Sequence, residues 1–494
     1  MKLGWKRKKQ IMGEDLKEIL EKSEDFQAVS YQNKKTKTRF TLFYITSLVD
    51  ERILHEIALP KLLNGDFKKL GDAKKILPLA EVDISRNKNE IEQKLFNGAV
   101  LLTVEGEKGV CCFFSAQKEN VRNISLPEIE FSVLGPKETF VESLKQNLNL
   151  IRKRIPVKEL IVEEIIVGRY SKTRVAILYI EGLTNEENVN TVRQRVEGIE
   201  YDEITDSSYV MQLISDNTNS PFPQMLDTER PDRVAAALTE GKVVLLVDGS
   251  PHAVIAPTTL VEFFNSYEDY LLDWILASFI RFIRFFAIAF SVLATPAYVA
   301  ILSYHYQLIP VDLLNTLVAS RRMIPFPPVL EAFFLEITIE LLREAGARLP
   351  TKVGQTIGIV GGIVIGTASV EAGLTSNVLL IIVALSALAS FTTPVYRIGN
   401  TIRLLRFPFL IFAELWGLLG IVVCLCFVTT HLLRLTSLGR PYLEPIYPPR
   451  LHDLKEAFVR PPLSTLRERP QYLRTKKPAR FSRKAAKEKK DIDE

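Results

Sequence analysis

Glu336, Glu340 and Glu344 stand four residues apart, a spacing that stacks their carboxylates on one face of a helix. A row of carboxylates either holds cationic side chains or draws cations toward a path. Three such groups cannot face hydrocarbon, so they face protein or water. Arg343 and Arg348 are within reach as structural partners; failing that, Glu336 and Glu340 are candidates for lining a cation path. A second pattern follows at once in Val353–Gly373, where Gly354, Gly358, Gly362 and Gly366 recur every four residues. Each interior glycine costs a helix in water about 1 kcal/mol relative to alanine. Between apolar helices the same ridge lets two backbones approach closely. Residues two places on lie about 200° round the helix, which gathers Thr356, Val360, Val364, Thr367 and Ala368 on the other side, ending at Glu371. A mixed, mildly polar strip of this kind suits a channel lining. It also suits an ordinary bundle helix, and helix period alone leaves both open.

Other chemistry is poorly supplied. The five histidines, His55, His252, His305, His431 and His452, are scattered, and the four cysteines form two close pairs, Cys111-Cys112 and Cys424-x-Cys426. Neither pair has metal-ligand spacing with histidine partners, so inert thiols in a reduced compartment are expected and no metal or other cofactor is. No phosphate loop, nucleophile elbow or dinucleotide fingerprint occurs, and an enzyme is not expected. Arg230 and Asp232 are a tempting charged pair, but Glu229-Arg-Pro-Asp232 reads as a turn before a helix. The net charge of +5 is small for 494 residues, and no basic pattern interleaved with aromatics points to nucleic acid.

The elements that position these residues fall into two unlike halves. Residues 1–265 are charged and soluble in character, 270–435 are apolar, and the end is basic. Within the first half, Arg39–Glu51 resembles Arg174–Glu186, each an apolar run of strand length ending in polar residues able to cap a helix. Helices are expected at about 52–63 and 187–197. Leu95–Gly106 likewise parallels Leu238–Gly249, each a helix stopped by glycine and a strand leading to an acidic-Gly turn. Return strands are expected at Gly109–Phe114 and Ala253–Ala256. Two related α/β subdomains, joined by a helix around Glu138–Arg154, account for the repeat. The expected organisation is a basic N-terminal segment (1–30), a first α/β subdomain (31–135), a second with the connecting helix (136–265), an all-α multi-span membrane domain (266–436) and a basic tail (437–494).

In the apolar half, Phe285–Tyr304 is long enough to cross about 30 Å of hydrocarbon, with Arg281 and Arg284 at its inner end. Ile309–Ser320 is short and carries Asp312, as a re-entrant or interfacial piece would. Pro325-Phe-Pro-Pro328 forces a break before the glutamate helix Val329–Ala345. The glycine helix, a span at Asn377–Val395 and a last span at Phe407–Leu433 follow. Five crossings would put the tail outside, yet Arg467–Glu494 holds eleven Lys/Arg against five Asp/Glu, which favours the inside and an even count. The tail reads as a disordered basic arm near anionic headgroups. Ile11–Leu20 carries Glu14, Asp15, Lys17 and Glu18 and is no secretory signal, so the first half is expected on the cytoplasmic side.

Several stretches together resemble one family. They include Gly135-Pro-Lys-Glu-Thr-Phe-Val-Glu and Asn149-Leu-Ile-Arg-Lys-Arg154, Pro221-Phe-Pro-Gln, Thr228-Glu-Arg-Pro-Asp232, Pro325-Phe-Pro-Pro, Thr338–Gly346, Gly354-Gln-Thr-Ile-Gly358 and Ala389-Ser-Phe-Thr. Across about 120–460 the chain resembles the A subunits of GerA-type spore germinant receptors. The resemblance implies a multi-pass protein of the spore inner membrane acting with a transporter-like B subunit and a lipoprotein C subunit. It implies a homo-oligomeric ring, a pentamer, that conducts cations and so triggers germination. A paralogous class, the stage V sporulation protein AF, shares the architecture and is thought to amplify ion release; a non-conducting scaffold is the other alternative. In a ring the glycine ridge would pack against helices and the Thr356/Val360/Val364/Thr367 strip would face the axis. Val360 and Val364 would then form an apolar gate, with Glu336, Glu340 and Glu371 concentrating cations at its mouths.

Overall fold

The computed structural model describes residues 22–79, 81–107, 109–117, 130, 132–349, 361–362 and 364–481. Two five-stranded sheets organise the first half. Their strands are short β-branched and aromatic runs such as Arg39–Ile45 and Val243–Val247, which pack well on a pleated surface. The first sheet contains β1 (Phe26–Gln32), β2 (Arg39–Ile45), β3 (Val82–Ser85), β4 (Ala99–Val104) and β5 (Cys111–Ser115). The second contains β6 (Leu160–Val167), β7 (Thr173–Ile180), β8 (Leu226–Thr228), β9 (Val243–Val247) and β10 (Ala253–Ala256). Their orders, β1-β2-β4-β5-β3 and β6-β7-β9-β10-β8, are the same. All these pairings are antiparallel, in registers such as Leu42 opposite Leu102 and Leu178 opposite Val244.

The fold class is therefore an α/β region of two related subdomains followed by a helical region. The repeated segments form the corresponding strands β2 and β7, β4 and β9, β5 and β10. Two of the outer strands carry little sequence signal, since β1 buries only Phe26 outright and β8 is three residues long, whereas outer strand β6 is a largely apolar run that the repeat did not include. Apolar side chains pack on both faces of each sheet, which is why β9 is buried throughout. Leu144, Leu148 and Ile151 of the connecting helix Leu144–Arg154 cover one face of the second sheet. Val189, Val192 and Val196 of Glu186–Glu197 cover the other. The segment before β1 joins the subdomains: the Glu24 amide donates to the Val162 carbonyl at 2.9 Å, and buried Arg152 pairs with buried Asp25 at 2.7 Å.

The first apolar helix begins at Trp274, well before the expected start, and runs to Tyr304. Arg281 and Arg284 are not free flanking charges. They converge on Asp269, with Arg284 donating through Nη1 at 3.0 Å and Nη2 at 3.1 Å and Arg281 through Nε at 3.4 Å. Short helix Val311–Arg321, glutamate helix Pro328–Arg348 and helix Asn377–Ser390 follow, with helical residues at 361–362 and 364–371 between the last two. The last helical stretch, Tyr396–Arg434, is not one span. At Trp416 and Gly417 the backbone leaves helical geometry, with Gly417 at φ +60°. The rings of Phe412 and Phe427 are 6.1 Å apart, whereas fifteen residues of straight helix would separate them by about 22 Å. The stretch is a helical hairpin. An added Cβ at Gly420 would overlap the Phe412 carbonyl, so the second arm packs backbone to backbone on the first.

The helices alternate in direction relative to the second sheet. The first runs away from it to Tyr304, whose hydroxyl donates to the Glu414 carbonyl at 2.6 Å near the hairpin tip. The glutamate helix returns, with Glu331 beside Ser376 and Glu340 beside Arg403. Both hairpin ends reach the α/β region: Arg397 pairs with Asp227 at 2.8 Å, and His431 Nε2 lies 2.8 Å from the Ser220 hydroxyl. Residues after the hairpin belong to the α/β region too. Leu435 and Tyr442 enter the core of the second sheet, and Tyr472 and Leu473 are buried. The expected disordered basic arm is thus overturned for 437–481, because aromatic and aliphatic residues anchor it. Arg460 lies over the Tyr270 ring at 4.7 Å.

Candidate functional site

The glutamates of Pro328–Arg348 are distributed along an apolar bundle, and each meets an arginine. Glu331 takes Arg321 Nη2 at 2.8 Å and the Ser376 amide at 3.2 Å. Glu336 takes Arg406 Nη1 at 3.0 Å on one oxygen and the Thr295 hydroxyl at 3.0 Å on the other. Both side chains of that pair are 1% exposed, so neither could stay charged without the other. Arg406 also donates through Nη2 to the Ser386 carbonyl at 2.8 Å, tying three helices together. Glu340 accepts from Arg343 Nη1 at 3.0 and 3.2 Å and lies 3.6 Å from Arg403 Nε. Glu344, on the exposed end, pairs with Arg348.

Three of these partners, Arg321, Arg403 and Arg406, were not singled out as partners from sequence. They sit up to 70 positions away from their glutamates, and helix period carries no signal for contacts between helices. Of the local candidates, Arg343 reaches Glu340 and Arg348 reaches Glu344. Glu336, proposed on sequence for a cation path, is in this subunit a neutralised crosslink between helices. Glu340 shares its charge with two guanidinium groups.

Thr356, Val360, Gly354 and Gly358 lie outside the described residues. In the described part of the glycine helix one narrow side packs on the chain, and a broader side that includes Ile365 and Ala372 is exposed. Gly366, Ser369 and Val370 turn toward the rest of the chain, with Ser369 buried and a Cβ on Gly366 meeting Leu380 at 3.7 Å. Gly361, which is not part of the four-residue repeat, packs on Leu342. Gly362 is exposed, with open space where its Cβ would be. Val364, Thr367, Ala368 and Glu371 follow i, i+3, i+4, i+7 and are all exposed, Val364 at 55%. The structure thus brings Val364, Thr367 and Glu371 onto one exposed stripe, on the side away from Gly366, Ser369 and Val370. Within that stripe Glu371 is the group least suited to hydrocarbon.

Arg230 and Asp232 prove to be a buried pair at 2.7 Å at the start of helix Pro231–Glu240. Arg230 also donates to the Ser132 hydroxyl, pinning the loop before the connecting helix. Its role is structural, as the turn reading anticipates.

Comparison with known proteins gives the family. Residues 14–472 match the family described as Bacillus/Clostridium GerA spore germination protein. The chain is 52% identical to spore germination protein GerQA of Bacillus cereus, over 95% of this chain and 94% of that one. It is 46% identical to spore germination protein GerIA of Bacillus cereus, over 93% and 70% respectively. It is also similar to the crystallised N-terminal domain of the A subunit of the Bacillus megaterium spore germinant receptor GerK3. That match is 30% identical, spans 49% of this chain and 91% of the other, and has a TM-score of 0.39. The chain belongs to the GerA family of spore germination proteins.

Proposed function

We propose that this chain is the A subunit of a nutrient germinant receptor in the spore inner membrane, acting with a transporter-like B subunit and a lipoprotein C subunit. Several copies, a pentamer, form a ring that conducts cations and so starts germination. Two helices, Trp274–Tyr304 and Tyr396–Arg434, are long and apolar enough to cross a membrane. With the second folded as a hairpin and the alternating helices between, the chain passes six times. The basic tail and the α/β region then share the cytoplasmic side.

The observation that carries the conducting role is the exposed stripe Val364–Thr367–Ala368–Glu371, opposite a packed face. In a ring closed by identical contacts, each copy presents this stripe to the axis. Val360 and Val364 narrow the opening to an apolar constriction that conducts only when wide enough to stay hydrated. Glu371 holds cations at one mouth. Glu336 stays with Arg406 as a strut, and Glu340 remains a cation-path candidate only where Arg343 and Arg403 turn away.

Purified receptor reconstituted in vesicles tests this by cation efflux. Val364→Ala should raise efflux without nutrient and make spores germinate unprompted. Efflux and dormancy equal to the unmodified protein would remove Val364 from the gate.

A further inference from the structure

We propose that Arg343 and Arg403 bind the phosphate of an anionic phospholipid headgroup where the apolar helices meet the second α/β subdomain. The proposal rests on the reading that this half of the chain lies in a membrane, and is independent of whether it conducts. Three guanidinium groups, Arg343, Arg403 and Arg406, gather around two carboxylates, Glu336 and Glu340. Glu336 is consumed by Arg406 and Thr295. One carboxylate, Glu340, is left between two guanidinium groups, so among the described residues the cluster carries one more positive charge than its carboxylates balance. Nε and Nη2 of Arg343 are buried and have no acceptor among the described residues. Donors and charge left unpaired beside apolar helices are costly. A phosphate monoanion supplies both the acceptors and the charge, in the forked geometry that guanidinium favours.

Position and surroundings select a lipid as the source of that phosphate. Arg397 pairs with Asp227, and Thr401 donates to the Pro221 carbonyl, so Arg403 sits within a turn or two of the α/β surface. That is headgroup depth for helices continuing into hydrocarbon. Arg343 lies over the Phe391 ring at 4.8 Å, and that ring is 64% exposed. Leu341, Leu388 and Leu404 are exposed nearby in sequence and offer apolar surface for acyl chains. A free phosphate or nucleotide would have no use for that rim.

The test uses the full chain in a neutral detergent, with native mass spectrometry and thermal melting read against phosphatidylglycerol, phosphatidylcholine or inorganic phosphate. Phosphatidylglycerol should be retained over phosphatidylcholine by roughly thirtyfold, the ratio two arginines near an anionic headgroup provide, and should raise the melting temperature. Arg343→Gln with Arg403→Gln should lose that preference, while Arg348→Gln, at the exposed helix end, keeps it. Equal retention of the two lipids by the unmodified protein overturns the proposal even if the double variant does not fold. Saturation by inorganic phosphate alone, or a preference that survives the double substitution, overturns it as well. A chain monodisperse without detergent would instead refute the membrane reading.

Discussion

Charge in this protein is placed where removing one partner is costly. Arg406→Ala would leave Glu336 buried against the Thr295 hydroxyl alone, at a cost of about 3–5 kcal/mol. A fall in the melting temperature of the detergent-solubilised chain checks this, and Glu336→Leu with Arg406→Met should recover most of the loss. In the α/β region, burial alone would raise the Asp25 carboxyl, but the Arg152 charge and hydrogen bonds from Arg152, Ser23 and Ser47 outweigh it and hold Asp25 below its ordinary 3.8. A depressed acid stabilises fully above its unfolded value and loses that contribution as pH falls through its folded value. The melting-temperature gap between the unmodified protein and Asp25→Asn should therefore shrink as pH drops below 3.8. Burial also pushes the Cys111 thiol to about 11 and Cys112 to about 12. Neither should react with iodoacetamide at pH 8 until the chain is denatured, as mass spectrometry of the labelled peptides would show. The glutamate row was legible in sequence because i, i+4 spacing is local. Its far partners were not, since nothing near Glu336 points to Arg406.

At the scale of elements, the clearest departure from sequence expectation is the hairpin at Trp416–Gly417. Hydropathy from Phe407 to Leu433 is continuous, so it reads as one span. The reversal depends on a single positive-φ glycine and on close approach at Gly420, neither of which interrupts an apolar run. With Cys424 and Cys426 replaced by alanine, Phe412→Cys with Phe427→Cys should form a disulfide under mild oxidation, seen as a mobility shift on non-reducing gels. A straight helix would keep the two sulfurs far apart and give none. Gly417→Ala should destabilise by about 1–3 kcal/mol, the scale of a strained backbone conformation, made worse by His305, whose Cε1 lies 2.7 Å from the added Cβ position. By contrast, the repeated strands were legible because apolar runs between glycine and acidic turns recur at matching places. Of the outer strands, β1 alternates weakly and β8 is too short to show a period, while β6 is largely apolar but has no counterpart in the sequence repeat.

Across the whole molecule, the two sheets, the apolar bundle and the returning tail form a continuous structure. The core of the second sheet includes Val395, Ile398 and Ile402 from the first hairpin arm and Leu435 and Tyr442 from beyond the second. Arg397–Asp227 and His431–Ser220 tie both hairpin ends to that subdomain. The tail reads as disordered in sequence because its charges outnumber its anchors, and Tyr442, Tyr472 and Leu473 become anchors only once folded against distant parts of the chain. The proposed ring gives the exposed stripe of Val364, Thr367 and Glu371 a place on a shared axis. Single-particle imaging of the receptor in a lipid nanodisc tests that most directly. The expected image is a closed ring with Val364, Thr367 and Glu371 of every copy on its axis and the hairpin outside. A solitary copy, or a ring whose stripe meets acyl chains, would contradict it.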